Sequence, residues 1–129
     1  MADYKAPLRD MQFTLFELLD YEQHWQGISK YEDTGVDIAT AIIDESAKFC
    51  ENVLAPLNQS GDAEGCKWDD GVVTTPKGFK EAYSQFVEAG WPSLSHAVEH
   101  GGQGLPPSLG IFLNEMIGSA NWSWGMYPG

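Results

Sequence analysis

The pentapeptide His96-Ala97-Val98-Glu99-His100 has the spacing of the inverted zinc-protease motif, in which two histidines on one helical turn hold a metal and the glutamate activates water. Its surroundings oppose that chemistry. Serines, a proline and two glycines flank it, so a long rigid helix is not expected, and a further carboxylate ligand would have to be Glu115, inside an apolar run. The five residues read as a turn with exposed histidines, and no metal site is assigned. Gly101-Gly102-Gln103-Gly104 could serve as a phosphate cradle, but no strand precedes it and no lysine follows as in a P-loop, which leaves a structural turn. Glu115 is either a buried, hydrogen-bonded helix residue or a ligand-site carboxylate. Trp122, Trp124, Met126 and Tyr127 are either plain core or the wall of an apolar ligand pocket. No Ser/His/Asp or Cys/His arrangement stands out, so no catalytic residue is assigned.

These residues sit in or beside the stretch 101–129, the least surface-like part of the chain. Leu105, Leu109, Ile111, Phe112, Leu113, Met116, Ile117 and Ala120 point all round a helix, and such a helix is expected to be covered on every side. Pro106-Pro107 fits its start, where a missing N–H costs nothing, and it should run from about 107 to 120 or beyond. Gly102 and Gly104 suit close backbone approach or positive φ. Upstream, Met11, Leu15, Leu18 and Leu19 recur at helical spacing over 8–20, with Phe13 and Phe16 widening the stripe. Residues 1–7 read as an extended lead-in anchored by Tyr4. Residues 21–33 carry His24, Trp25 and Tyr31 without a clean period and read as a loop, with or without one helical turn, whose aromatic rings fold back onto the core.

Thr34-Gly35-Val36-Asp37 has capping-box spacing and opens a second helix whose predicted buried stripe is Ile38, Ile42, Phe49 and Val53. Pro56 should end or kink it near Leu54, with residues 58–61 closing it off. In the 60–75 loop, Lys67-Trp68 and Val72-Val73 flank Asp69-Asp70-Gly71, a pattern for one short β-hairpin. Thr75-Pro76 reads as the next helix start, with Phe79, Tyr83, Phe86 and Val87 facing inward and Gly90 ending it. The fold class is all-α, a small helical bundle.

With 129 residues one domain and one core are expected. A net charge of −12 disfavours binding to nucleic acid or adsorption to an anionic membrane. Cys50 falls on an apolar helical face and reads as a reduced core residue rather than half of a disulfide with Cys66. No secretory leader opens the sequence, and Gly110, Asn114, Glu115 and Gly118 interrupt the apolar run, so no membrane span and a cytoplasmic location are expected.

Four runs carry a resemblance across essentially the whole chain: Leu54-Ala55-Pro56-Leu57-Asn58 with Gly61-Asp62, Thr75-Pro76-Lys77-Gly78-Phe79 to Gly90-Trp91, Gly101-Gly102-Gln103-Gly104-Leu105-Pro106, and Asn121-Trp122-Ser123-Trp124. In order and spacing they resemble the N-terminal helical domain of acyl-CoA dehydrogenases. Tyr4 to Pro7 and Asp10 to Phe13 place the likeness in the longer bacterial, methylmercaptopropionyl-CoA dehydrogenase-like branch. The resemblance implies an enzyme in which FAD and the acyl-CoA thioester lie between three domains. A glutamate outside these 129 residues takes a proton from Cα while a hydride passes from Cβ to the flavin. It further implies that Trp122, Trp124, Met126 and Tyr127 wall the acyl pocket, and that FAD contacts, catalytic base and electron acceptor site belong to the remaining domains. The isolated chain is then expected to be inactive and without flavin. Self-association through the last helix is also expected, because three short helices should not cover it. The competing reading is an autonomous helical binding or interaction module.

Overall fold

The computed structural model describes residues 3–128, a helical body carrying one two-stranded antiparallel hairpin. The lead-in is extended over residues 3–7, with Tyr4 packed against the core and the Ala6 N–H donated to Glu51 at 2.9 Å. The expectation for Met1 and Ala2 lies outside the described residues.

Helix α1, Leu8–Gln12, buries Met11 and runs into a π-helical turn, Phe13–Leu18. In that wider turn N–H groups reach back five residues, as Leu19 does to Thr14, and each residue rotates less than in an α-helix. Leu15 stays buried, but Leu18 and Leu19 swing off the predicted stripe and are exposed. The next segment is helical rather than a loop. Helix α2, Tyr21–Gln26, follows Asp20 in the left-handed region and buries Trp25, whose indole N–H donates to Ser108 Oγ at 3.1 Å. Six residues that bury one large ring leave no apolar period to detect. A 3₁₀ turn, Ser29–Tyr31, leads on.

Helix α3, Val36–Phe49, is not entered through a capping box. Its Val36 N–H is taken by the Glu22 carboxylate of α2 at 3.1 Å, and Thr34 is buried. The buried stripe is Ala39, Ile43, Ala47, Cys50 and Leu54, one position round from the predicted one. Ile38 is exposed, Ile42 and Val53 are half-buried, and Phe49 alone of the predicted four is buried. The two alanines leave room for helix α6, Pro107–Gly125, which packs along this face.

Pro56 does not stop the helix. A second π-turn, Cys50–Leu54, leads into α4, Ala55–Glu64, and the Ala55 N–H already reaches back to the Cys50 carbonyl. The ladder is open at that point, so the proline's missing donor breaks nothing further. Residues 58–61 therefore lie inside α4. Gly61 is required there: a Cβ would stand 2.6 Å from carbons of the Phe79 ring.

Strands β1, Lys67–Asp69, and β2, Val72–Thr74, form the predicted hairpin, with Trp68 opposite Val73. Asp70 and Gly71 have φ of 43° and 83°, the double left-handed turn that matches strand twist. Helix α5, Phe79–Glu88, starts later than Thr75-Pro76 predicts, because Gly78 in the left-handed region turns the chain first. Its inward face is Phe79, Ala82 and Phe86, while Tyr83 and Val87 are exposed. Gly90 ends it as predicted, and α6 begins at Pro107 as predicted. Both cysteines are free: Cys50 is buried, with its thiol pushed up to about 12 by burial, and Cys66 is exposed.

Candidate functional site: an open groove along α6

Helix α6 is not covered on all sides. Leu109, Leu113, Met116, Ile117, Ala120 and Trp124 are buried by the earlier helices, whereas Ile111 and Trp122 are exposed and Phe112 is half-buried. The earlier helices thus cover much of α6 but not all of it, and Ile111 and Trp122 are the large apolar residues they leave exposed. Glu115 is exposed, which removes the reading of it as a buried, hydrogen-bonded helix residue.

The helix changes direction at Asn121, whose backbone is extended at φ −162°, ψ 86°. The Asn121 side chain repairs the break on both sides. Its Oδ1 accepts the Trp124 N–H at 3.0 Å, as an N-cap residue does for the turn it starts, and its Nδ2 donates to the Leu54 carbonyl in the π-turn at 3.1 Å. Beyond the break the helical spacing sends Trp122 and Trp124, two residues apart, to opposite sides. Trp124 is sealed in the core, its Nε1–H donated to the Phe79 carbonyl at 3.1 Å and its ring set edge-on to Phe86 at 5.4 Å and Phe49 at 5.9 Å. Trp122 is 66% exposed on the opposite side. Met126 is exposed, and Tyr127 stands edge-on to Phe79 at 6.0 Å with its hydroxyl 3.4 Å from Cys66 Sγ. The structure does not bring the four together on one surface.

Trp122 instead belongs to a groove of about 420 Å³ with residues that the sequence reading missed. Gly110, Asn114, Gly118 and Trp122 follow one another at four-residue spacing along α6, and Trp91 and Leu94 form the facing wall. A signal was present in that spacing, since residues four apart share a helix face. At Gly110 the absence of a side chain is unforced: a Cβ would meet nothing within 4 Å. A glycine inside a helix costs about 1 kcal/mol relative to alanine, so an open position that keeps one holds the groove empty at a cost in stability.

The other candidate motifs are structural turns. Val98–His100 is a single 3₁₀ turn, and His96, Glu99 and His100 are exposed. Among the described residues no group of three or more His, Cys, Asp or Glu side chains could hold a metal ion. The Gly-rich loop folds its amides inward. Gly102, Gln103 and Gly104 donate to the carbonyls of Ala97, Ser93 and His96 at 2.9 to 3.0 Å, and the Gln103 amide donates to Gly90. Gly102 is required, because a Cβ would lie 2.1 Å from the His96 carbonyl oxygen. No amide of these three is left to cradle a phosphate. Of the seven lysines and arginines, Lys5, Arg9 and Lys48 are paired with Glu51, Glu17 and Glu45, which leaves few cations for a polyphosphate.

With this geometry in hand, comparison with known proteins is informative. No family model matches the chain. A 3-methylmercaptopropionyl-CoA dehydrogenase of Ruegeria pomeroyi is 42% identical over 125 residues, which cover 97% of this chain and 21% of that protein. A broad-specificity linear acyl-CoA dehydrogenase of Mycobacterium tuberculosis is 30% identical over 131 aligned residues, 100% of this chain and 21% of that protein. A butyryl-CoA dehydrogenase of Syntrophomonas wolfei is 35% identical over 91 residues, 68% of this chain and 15% of that protein. The chain is therefore homologous to acyl-CoA dehydrogenases along its whole length. Within them its likeness is to the 3-methylmercaptopropionyl-CoA dehydrogenase branch. It spans about a fifth of the length of the first two relatives. Among the described residues no helix is long and apolar enough to cross a membrane.

Proposed function

We propose that this chain is the N-terminal helical domain of a flavin-dependent acyl-CoA dehydrogenase, and that its share of the active site is an apolar wall of the acyl pocket centred on the groove between Trp91 and Trp122. The observation that carries this is the unforced glycine at position 110, next to an aromatic wall, in a concavity of the size that small ligands use. In the parent enzyme FAD would receive the hydride. The residues of this chain do not fit FAD, because the glycine-rich amides are spent inside the loop and the cations are few, so flavin contacts and the catalytic base are assigned to the rest of a longer polypeptide. This chain's own contribution is to line the acyl chain with carbon and exclude water. The partners of the whole protein would be acyl-CoA, an electron acceptor and further copies of itself, and its location the cytoplasm.

Of the four residues first considered for the acyl wall, Trp122 keeps that role. Trp124 acts through packing, by holding α6 to α5.

Replacing Gly110 by Leu in the full-length dehydrogenase starts a branched side chain from a position where a Cβ meets no atom of this chain within 4 Å. Discrimination against longer acyl thioesters should rise by about tenfold or more in kcat/KM, with flavin content unchanged. An unaltered ratio between short and long acyl chains, in a variant that still holds its flavin, would remove the groove from the acyl site. A reading frame that stops at residue 129 would instead favour a free-standing binding module.

A further inference from the structure

All six residues of β1 and β2 are exposed, and Trp68, at 73%, is the most exposed large apolar residue among those described. A lone two-stranded hairpin is marginal in water, and its open edge is a template for another strand. The phase of the ladder defines that edge. Asp69 and Val72 close the two-residue turn and exchange its ladder bonds, so the N–H and C=O of Trp68, one residue back, turn away from β2. A strand laid antiparallel on β1 about Trp68 would meet both groups.

The sequence of β1 is complementary to itself in that register. Turned through a two-fold axis at Trp68, Trp68 meets Trp68 of the other copy and Lys67 meets Asp69. The Lys67 to Asp69 pair occurs twice and the Trp68 pair once, on the axis, and none sets like charges face to face. Among the described residues Lys67 makes no ion pair within its own chain. The β2 edge, Val72-Val73-Thr74, has no charge with which to choose a register.

We propose that β1 is a self-recognition edge through which two copies of this chain join their hairpins into a four-stranded antiparallel sheet. The net charge of −12 on each copy opposes approach in general, so the Lys67 to Asp69 pairs and the stacked indoles must select this one contact. The inference concerns this chain by itself and places the contact on the hairpin rather than on α6.

Sedimentation equilibrium of the 129-residue chain at physiological ionic strength tests it. A concentration-dependent dimer is expected. Lys67→Glu places two carboxylates opposite each other twice per dimer and should raise the dissociation constant about tenfold or more. Combining Lys67→Glu with Asp69→Lys exchanges the charges and should restore the dimer. Both positions are exposed, so folding, checked by circular dichroism, should be unaffected. A chain that stays monomeric at the highest concentration overturns the proposal, as does indifference of the dimer to Lys67→Glu or failure of the double variant to restore it. A dimer dispersed by Trp122→Ala and not by Lys67→Glu would put the contact on α6 and equally overturn it.

Discussion

The two sides of α6 use small residues in opposite ways. On the buried side the small residues belong to the partner: Ala39 and Ala47 of α3 make the hollow, and large side chains such as Leu113, Met116 and Trp124 belong to the cluster that closes it. On the open side the small residues belong to α6 itself. Gly110, Asn114 and Gly118 make a floor between Trp91 and Trp122 that nothing in the described chain fills. One hollow is completed by folding and the other stays open in the described chain. Stability should therefore reside on the first side, and selectivity on the second.

The sharpest way to break this contrast is to truncate the two tryptophans separately. Trp124→Ala removes a fully buried ring and leaves the Phe79 carbonyl without its donor, so a loss of about 3–5 kcal/mol is expected by urea denaturation. Trp122→Ala, two residues away and largely exposed, should cost less than about 1 kcal/mol. Equal losses would mean that the groove is merely an irregular part of the core.

Next in size is Asn121→Ala. It leaves the Leu54 carbonyl and the Trp124 N–H unanswered in buried surroundings, which should cost about 2–3 kcal/mol and loosen the last turn of α6. A loss no larger than that of Trp122→Ala would show that the break in α6 is not held by this side chain.

Much of the frame was legible because it rests on local backbone chemistry. The Asp-Gly turn, the glycine after α5 and the proline at the start of α6 each dictate φ or remove a donor where they stand. Helix faces were harder to read. The stripe on α3 came out one position off, since the period was scored on bulky residues while the packing is done by Ala39, Ala47 and Cys50. Two π-turns, invisible to a 3.6-residue period, moved Leu18 and Leu19 into solvent and let α4 continue through Pro56. Trp122 and Trp124 looked equivalent because both are tryptophans near the end of an apolar run, yet two positions apart on a helical turn they face opposite sides, one into the core and one into solvent. The groove floor was present as a four-residue spacing, but its meaning lies in a missing side chain at Gly110.

A smaller effect, with the opposite sign, is expected on the open side. Gly110→Ala adds a methyl group where no atom lies within 4 Å and removes a flexible residue from a helix, so the domain should become more stable by about 0.5–1 kcal/mol. No gain in urea midpoint would mean that the position is already constrained, and the case for an emptied groove would weaken.

The last test separates the sides by pH. Burial raises the Cys50 thiol from an ordinary 9.0 to about 12, and the Tyr4 phenol rises from 10.0 to about 12, chiefly through burial and then through the neighbouring Cys50, Glu51 and Glu115. Both groups are neutral when protonated, so the unfolded chain gives up these protons at lower pH than the folded one. The stability they contribute is complete below pH 9.0 and is lost as pH climbs from there toward about 12. Urea midpoints taken across that range should fall. In Cys50→Ala the fall should begin near 10.0, where the raised phenols of Tyr4 and Tyr127 remain, whereas Trp122→Ala on the groove side should follow the parent curve. Thiol labelling supplies the control: at neutral pH the exposed Cys66 should react and the buried Cys50 should not. If Cys50→Ala and the parent chain lose stability in parallel from pH 9.0 upward, the seam is not what titrates, and the buried side would lose the distinction drawn for it.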